Sequence, residues 1–192
     1  MGAIESLRQQ TYRPLEHVIV SDGQDAALRA MIERVQAEAD ATAPPITFVE
    51  LGRNWSTFLT DSMSAVPFGV AQWMARGDLI MWLADDERLL VPDAIESMVG
   101  LLEASDADFV YPKVEFYWRG RPEKRFVLGE PFPREGTFTH CLHRADILDV
   151  PHGGFQTHVG SANDHEQVRR WIAAGKTWAF LDRVTLSHRI DK

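Results

Sequence analysis

Residues 78–83 read Asp-Leu-Ile-Met-Trp-Leu and run straight into Ala84-Asp85-Asp86-Glu87. An apolar run without alternation suits a strand buried on both faces, so it predicts a central strand in a parallel sheet. Helical stretches flank it. Residues 66–75 precede it, with Gly77 placed to close them as a left-handed cap. Pro92-Asp93 opens another helix in which Ile95, Met98, Val99, Leu101 and Leu102 face inward. A buried strand between helices belongs to an α/β fold.

The rest of the chain keeps this alternation. Ile4 and Leu7 share a helical face that Pro14 ends. His17-Val18-Ile19-Val20 reads as a buried strand that stops at the turn signal Ser21-Asp22-Gly23. Leu28, Met31, Ile32 and Val35 recur at helical spacing within residues 26–39, and residues 46–51 form a second strand. Residues 52–67 have no clean period and read as a long loop or irregular helix. Phe109-Val110-Tyr111 is a further strand. Residues 115–134, rich in aromatics, Arg, Pro and Gly, predict a hairpin or lid-like excursion. Residues 137–143 alternate like a strand, and Gly153-Gly154-Phe155 is a loop. Residues 163–174 make a helix capped by Gly175, and short strands follow at 177–181 and 184–187. The expected architecture is α/β, with a mostly parallel central sheet flanked by helices and a small antiparallel C-terminal portion.

At 192 residues the chain suits one domain with a real core. Its formal net charge of -8 argues against a phosphate backbone as partner, so nucleic acid is not expected. Cys141 is the single cysteine, which rules out an internal disulfide and a Cys-rich zinc site. No apolar run reaches the roughly 20 residues of a membrane span. The N-terminus lacks a basic region followed by an apolar stretch, so no signal peptide is read there and a cytoplasmic setting is expected.

Asp85, Asp86 and Glu87 are the strongest chemical feature. Ligands of open α/β sheets bind beyond the carboxyl ends of strands. Grouped carboxylates there repel one another unless a cation or solvent compensates, and hard oxygen ligands suit Mg²⁺ or Mn²⁺. A solvated turn ahead of the next helix is the competing reading. Asp22, at another strand end, is either a contact for a base or sugar or an Asx-turn closing a loop, the second being favoured on pattern alone. Asp164, at the start of a helix, is either a general base or a charge answering the helix dipole, again with the second favoured. His140 and His143 fall on opposite faces of a strand and make a poor metal pair. His188, after the last strand, is either a metal ligand or an ordinary surface or core histidine. There is no Walker A loop, no Gly-x-Gly-x-x-Gly and no nucleophile elbow.

Taken together, these segments resemble the family 2 glycosyltransferases of the GT-A fold. Residues 3–12 (AIESLRQQTY) are similar to the family's first helix and its exit, and EHVIVSDG, residues 16–23, to its strand and acidic turn. RGDLIMWLADDE, residues 76–87, resembles the strand that carries the Asp-x-Asp motif. Residues 142–155, ending in Gly153-Gly154-Phe155, and NDHEQVRRWIAAG, residues 163–175, resemble the later acceptor-side segments. The resemblance covers nearly the whole chain and implies a single Rossmann-like GT-A domain. Its residues 1–112 would form the nucleotide-sugar and metal half, and residues 113–192 the acceptor half.

The implied activity is inverting transfer of a sugar from a nucleotide-diphosphate sugar to a hydroxyl of a carbohydrate or other acceptor. Asp22 and Asp85 would contact the donor nucleotide. Asp86, Glu87 and His188 would hold Mn²⁺ or Mg²⁺. Asp164 would be the general base, and Gly153 and Gly154 would let the acceptor approach the backbone. Three departures stand out. The chain begins inside the family's first helix, without the usual first β-strand. The acidic motif aligns either with Ala84 in place of the first acid or, the favoured alignment, with Asp85-Asp86-Glu87 as an Asp-x-Glu variant. Asn163 stands where the family often has Glu. The alternative reading is a non-catalytic or truncated binding or assembly protein on the same scaffold, pairing as a homo-oligomer through an unpaired sheet edge.

Overall fold

A computed structural model describes residues 2–57, 64–129, 140–155 and 163–190. In chain order its elements are α1 (Ala3–Arg8), β1 (His17–Ser21), α2 (Ala26–Ala37), β2 (Ile46–Glu50), α3 (Ala65–Met74), β3 (Leu79–Met81), β4 (Glu87–Leu89), α4 (Ala94–Ser105), β5 (Phe109–Trp118), β6 (Arg121–Leu128), β7 (Leu142–Arg144), α5 (Asn163–Ala173) and β8 (Trp178–Ile190), with short 3₁₀ turns at Trp55–Thr57 and Ala145–Asp149. They fall into two compact units that interleave along the chain. Met1–Arg13, Leu79–Ile147 and Trp171–Lys192 form one, and Pro14–Asp78 with Leu148–Arg170 the other. This geometric division follows other boundaries than the halves 1–112 and 113–192 expected from the resemblance. No helix among the described residues is long and apolar enough to cross a membrane.

The first unit is built on a sheet of order β3-β7-β5-β8-β4, with β6 added against β5. β5 and β8 run parallel along most of their length, while β3–β7, β5–β7, β4–β8 and β5–β6 are antiparallel. The class is α/β as expected, but this sheet is mixed rather than mostly parallel. The 78–83 run forms only the short β3, at one end of the order and antiparallel to β7, not a central parallel strand. The reason is physical: an apolar run reports burial of both faces, not the direction of the neighbouring strand. Its burial comes from aromatic packing. Trp82 lies 5.5 Å from His143 and 5.9 Å from Trp171 between ring centroids, and Trp171 lies 5.6 Å from Phe109. The buried face of α4, with Ala94, Ile95, Met98, Val99 and Leu102, packs onto β5 and β8.

Residues 115–128 of the expected excursion complete the β5–β6 hairpin, turned at Gly120 with φ +75, while 130–134 lie outside the described residues. Of the strand expected over 137–143, residues 137–139 also lie outside them, and β7 begins at Leu142. The two short strands expected at the C-terminus are one long strand, β8, whose pairing with β5 shifts register near Pro112 and Lys113.

α1 is short, and tertiary bonds hold it. The buried Gln10 side chain donates to Ser6 O and Val91 O and accepts from Ile95 N–H, tying the helix exit to the start of α4. Ser6 Oγ accepts from Leu89 N–H in β4.

In the second unit β1 and β2 pair in parallel from His17↔Ile46 to Ser21↔Glu50. α2 is capped by Asp25, whose carboxylate accepts from the Ala27 and Leu28 N–H groups. α3 packs on β1. Its end is not closed by a left-handed Gly77. Ala75 is extended, with φ -62 and ψ 139, and the Glu16 carboxylate accepts from the Arg76 and Gly77 N–H groups at 2.6 and 3.1 Å. A carboxylate contributed by the residue before β1 does what the glycine was expected to do. At the end of α5, in contrast, Gly175 takes φ +84 as expected.

Candidate functional site

The acidic segment forms a tight turn between β3 and β4. The Ala84 carbonyl accepts from Glu87 N–H at 3.2 Å, and the Ala84 N–H donates to Glu87 Oε2 at 2.8 Å. This closed turn puts Asp85 on the outside, leaves Asp86 half-buried and carries Glu87 inward. Glu87 is 7% exposed, and its Oε1 accepts from two rings: His140 Nε2, which is 1% exposed, and His188 Nδ1, which is 29% exposed and 3.0 Å away. The ligand-capable atoms of Glu87, His140 and His188 all lie within 4.8 Å of one another. β8 brings His188 opposite Glu87 in the β4–β8 register, and Phe116 of β5 sits beside it with ring centroids 5.3 Å apart.

The electrostatics separate the two acids. Burial pushes the Glu87 carboxyl up. The charge and hydrogen bond of His140, with the bonds from His188 and Ala84, outweigh burial and hold it down to about 2. Asp86 goes the other way: burial raises it, Glu87 and Asp85 push in the same direction, and the pull of His188 does not cancel them. A half-buried carboxyl with two acidic neighbours is a group that a cation would relieve. Two imidazoles beside carboxylates make a mixed nitrogen and oxygen donor set, which fits Mn²⁺ and, less well, Mg²⁺.

His140 is the residue that sequence reasoning missed. The sequence pattern sets it only against His143, on opposite faces of a strand, and the two do separate. His143 is buried against Trp82 and Trp171, with its Nδ1 on Arg144 O, while His140 precedes β7 and reaches Glu87. No spacing signal marks residues 87, 140 and 188: the β4–β8 pairing sets Glu87 against His188, and His140 arrives from the segment before β7.

The remaining candidates lie in the second unit. Asp22 accepts from the N–H groups of Trp55 and Ser56 at 2.7 and 2.9 Å, so it caps the Trp55–Thr57 turn that follows β2. Beside it Gly23 has φ +110, and a Cβ there would come within 3.2 Å of Asn54 N, so this close approach requires glycine. Asp164 is half-exposed in the first turn of α5, and its Oδ1 accepts from His165 N–H at 2.8 Å. From the same helix Gln167 donates to Gly153 O at 2.6 Å and Arg170 donates to Gly154 O at 3.0 Å, while Phe155 stacks on Phe68 at 5.1 Å. Neither Gly153 nor Gly154 has positive φ. A Cβ at Gly154 would meet only Gln72 Oε1, at an ordinary 3.6 Å. Packing among the described residues does not account for glycine at that position.

Comparison with known proteins follows the same lines. Residues 2–155 match the profile described as Glycosyl transferase family 2. Among solved structures, the chain is similar to Staphylococcus aureus TarS 1-349, at TM-score 0.76 and 15% identity, covering 97% of this chain and 55% of that one. The same TarS fragment in complex with UDP gives TM-score 0.74 at 16% identity, with 98% and 55% covered. The mannosyltransferase PcManGT from Pyrobaculum calidifontis, in complex with GDP-Man and Mn²⁺, gives 0.70 at 18% identity, with 98% and 52% covered. The chain thus spans about half the length of the solved chains it resembles, and at these identities the likeness is one of fold. No curated protein matches it. The profile covers well over half of the sequence and the structural neighbours share its α/β architecture, so the chain belongs to the family 2 glycosyltransferases and has the GT-A fold.

Proposed function

We propose that this chain is a cation-assisted, inverting glycosyltransferase that moves a sugar from a nucleoside-diphosphate donor to a hydroxyl acceptor. The observation that carries the reading is the closed turn Ala84–Glu87, in a chain of this family, with Asp85 exposed, Asp86 half-buried and a buried carboxylate between two imidazoles behind them. Asp86 together with the Glu87, His140 and His188 cluster would form the site for Mn²⁺ or Mg²⁺. When bound, the cation neutralises charge on the departing diphosphate.

The chain's own residues do the rest. Asp85, exposed at the turn, faces the donor. Asp22 shapes the nucleotide side by fixing the Trp55–Thr57 turn, and its remaining lone pairs are assigned to the base. Asp164 takes the proton of the acceptor hydroxyl as that oxygen attacks the anomeric carbon. The carbonyls of Gly153 and Gly154 are held by α5, and the glycine at 154 leaves room for an acceptor against the backbone. That TarS was crystallised with UDP, and PcManGT with GDP-Man and Mn²⁺, supports this choice of donor class and ion.

The direct test is donor turnover. The protein is incubated with Mn²⁺, a panel of UDP-sugars and GDP-mannose, and a panel of hydroxyl acceptors, and the anomeric configuration of the glycoside product is read by NMR. Turnover with inverted configuration, lost in Asp164→Asn while donor binding survives, is expected. Donor binding without turnover of any donor would favour the non-catalytic module, and retention of configuration would remove the base role of Asp164.

A further inference from the structure

Glu87 has more partners than a metal ligand needs. Oε2 takes the Ala84 N–H, and Oε1 takes both His140 and His188. An ionised carboxylate only accepts, so each ring must present an N–H to it. For His188 this fixes the proton on Nδ1 and places the lone pair of the neutral ring on Nε2. Burial follows the same order: His140 at 1%, Glu87 at 7% and His188 at 29% form a line from the core to the surface. His188 is therefore the ring presented outward, and His140 is the anchor. The plane of His188 is also held, by Phe116 at 5.3 Å on one side and the edge-on His140 ring at 5.9 Å on another.

We infer that Glu87 is a positioning residue rather than a ligand: anchored by His140 and the Ala84 N–H, it holds His188 in the Nδ1–H form so that Nε2 meets the cation beside Asp86. This rests on the cation reading above and divides the roles within it. Carboxylates that fix a ligating imidazole in this way raise its basicity and its order, and their loss costs about 10–100-fold in metal affinity. The same contacts explain a carboxylate at position 87 that neither a solvated turn nor a direct ligand would require to be buried. Through the Ala84 N–H, Glu87 also clamps the turn that aims Asp86, so one side chain sets two ligands at once.

The test has two readouts on the intact protein. The first is ring nitrogen NMR of the metal-free wild type, with signals assigned by His188→Gln and His140→Gln. It should show His188 with a protonated Nδ1 and a lone-pair Nε2. A His188 ring protonated on Nε2 alone would overturn the inference, and this measurement stands even if the variants do not fold. The second is Mn²⁺ binding by calorimetry for wild type and Glu87→Met, an isosteric change that removes the acceptor. The expected result is an affinity about 10–100-fold weaker, together with a His188 ring that has left the Nδ1–H form. Unchanged affinity would contradict the positioning role. So would complete loss of binding with the tautomer unchanged, since Glu87 would then be a ligand itself. A wild type that binds no Mn²⁺ although its His188 keeps the Nδ1–H form would remove the cation reading alone and leave the ring-holding role in place.

Discussion

At the scale of single residues the geometry gives sharp expectations. Gly23 combines φ +110 with a Cβ approach of 3.2 Å to the Asn54 backbone. Gly23→Ala should cost about 1–3 kcal/mol, since the strained backbone and the close contact add, and urea unfolding would measure it. His143 is fully buried, and burial holds its pKa down to about 4 against the ordinary 6.5. The folded state thus refuses a proton that the unfolded state accepts. The contribution of this ring to stability should be full above about pH 6.5, fall as the pH drops towards 4, and level off below. The loss should be about 3 kcal/mol over that window, and the His143→Gln variant should show a correspondingly flatter acid limb. The same scale shows where sequence reasoning runs out. The roles open to Asp85 and Asp86 were legible because three adjacent acids after an apolar run are unusual in themselves. The role of His140 was not, because its partners are brought to it by strands that start and end elsewhere in the chain.

At the scale of elements, pattern predicted which segments are helices and strands better than how they pair. α2, α3, α4 and α5 follow apolar spacing, and β1 and β2 follow runs bounded by turn residues. Strand direction, by contrast, is set by neighbours, so the direction of β3 and the fusion of the last two strands into β8 were not readable. Ends of elements were legible when a local residue closes them, as with Gly175, and hidden when a distant group does, as with Glu16 at the end of α3. Gln10 belongs with the hidden cases. Its side chain links α1 to α4 through Val91 O and Ile95 N–H while fully covered by the fold. Gln10→Ala would orphan these buried groups and should cost about 2–3 kcal/mol in denaturant unfolding. A cost near zero would show that the helix exit is not held by this side chain.

At the scale of the whole molecule the chain presents a family scaffold in two compact units. Unit one holds the acidic turn and its two histidines, and unit two holds Asp22, Asp164 and the Gly153-Gly154 loop. The fold class and the family were legible because their motifs are local strings spread in a fixed order along the chain. The site was legible only in part, since its chemistry depends on which side chains the sheet sets face to face. The central claim is that the acidic turn grips a cation-bound nucleoside diphosphate. Isothermal titration of UDP and GDP, with and without Mn²⁺, into wild type and Asp86→Asn tests it most directly. Nucleotide binding that requires Mn²⁺ and disappears in Asp86→Asn is the expected result, whereas a wild type that binds neither nucleotide in the presence of the ion, or binds equally well without it, would contradict the account.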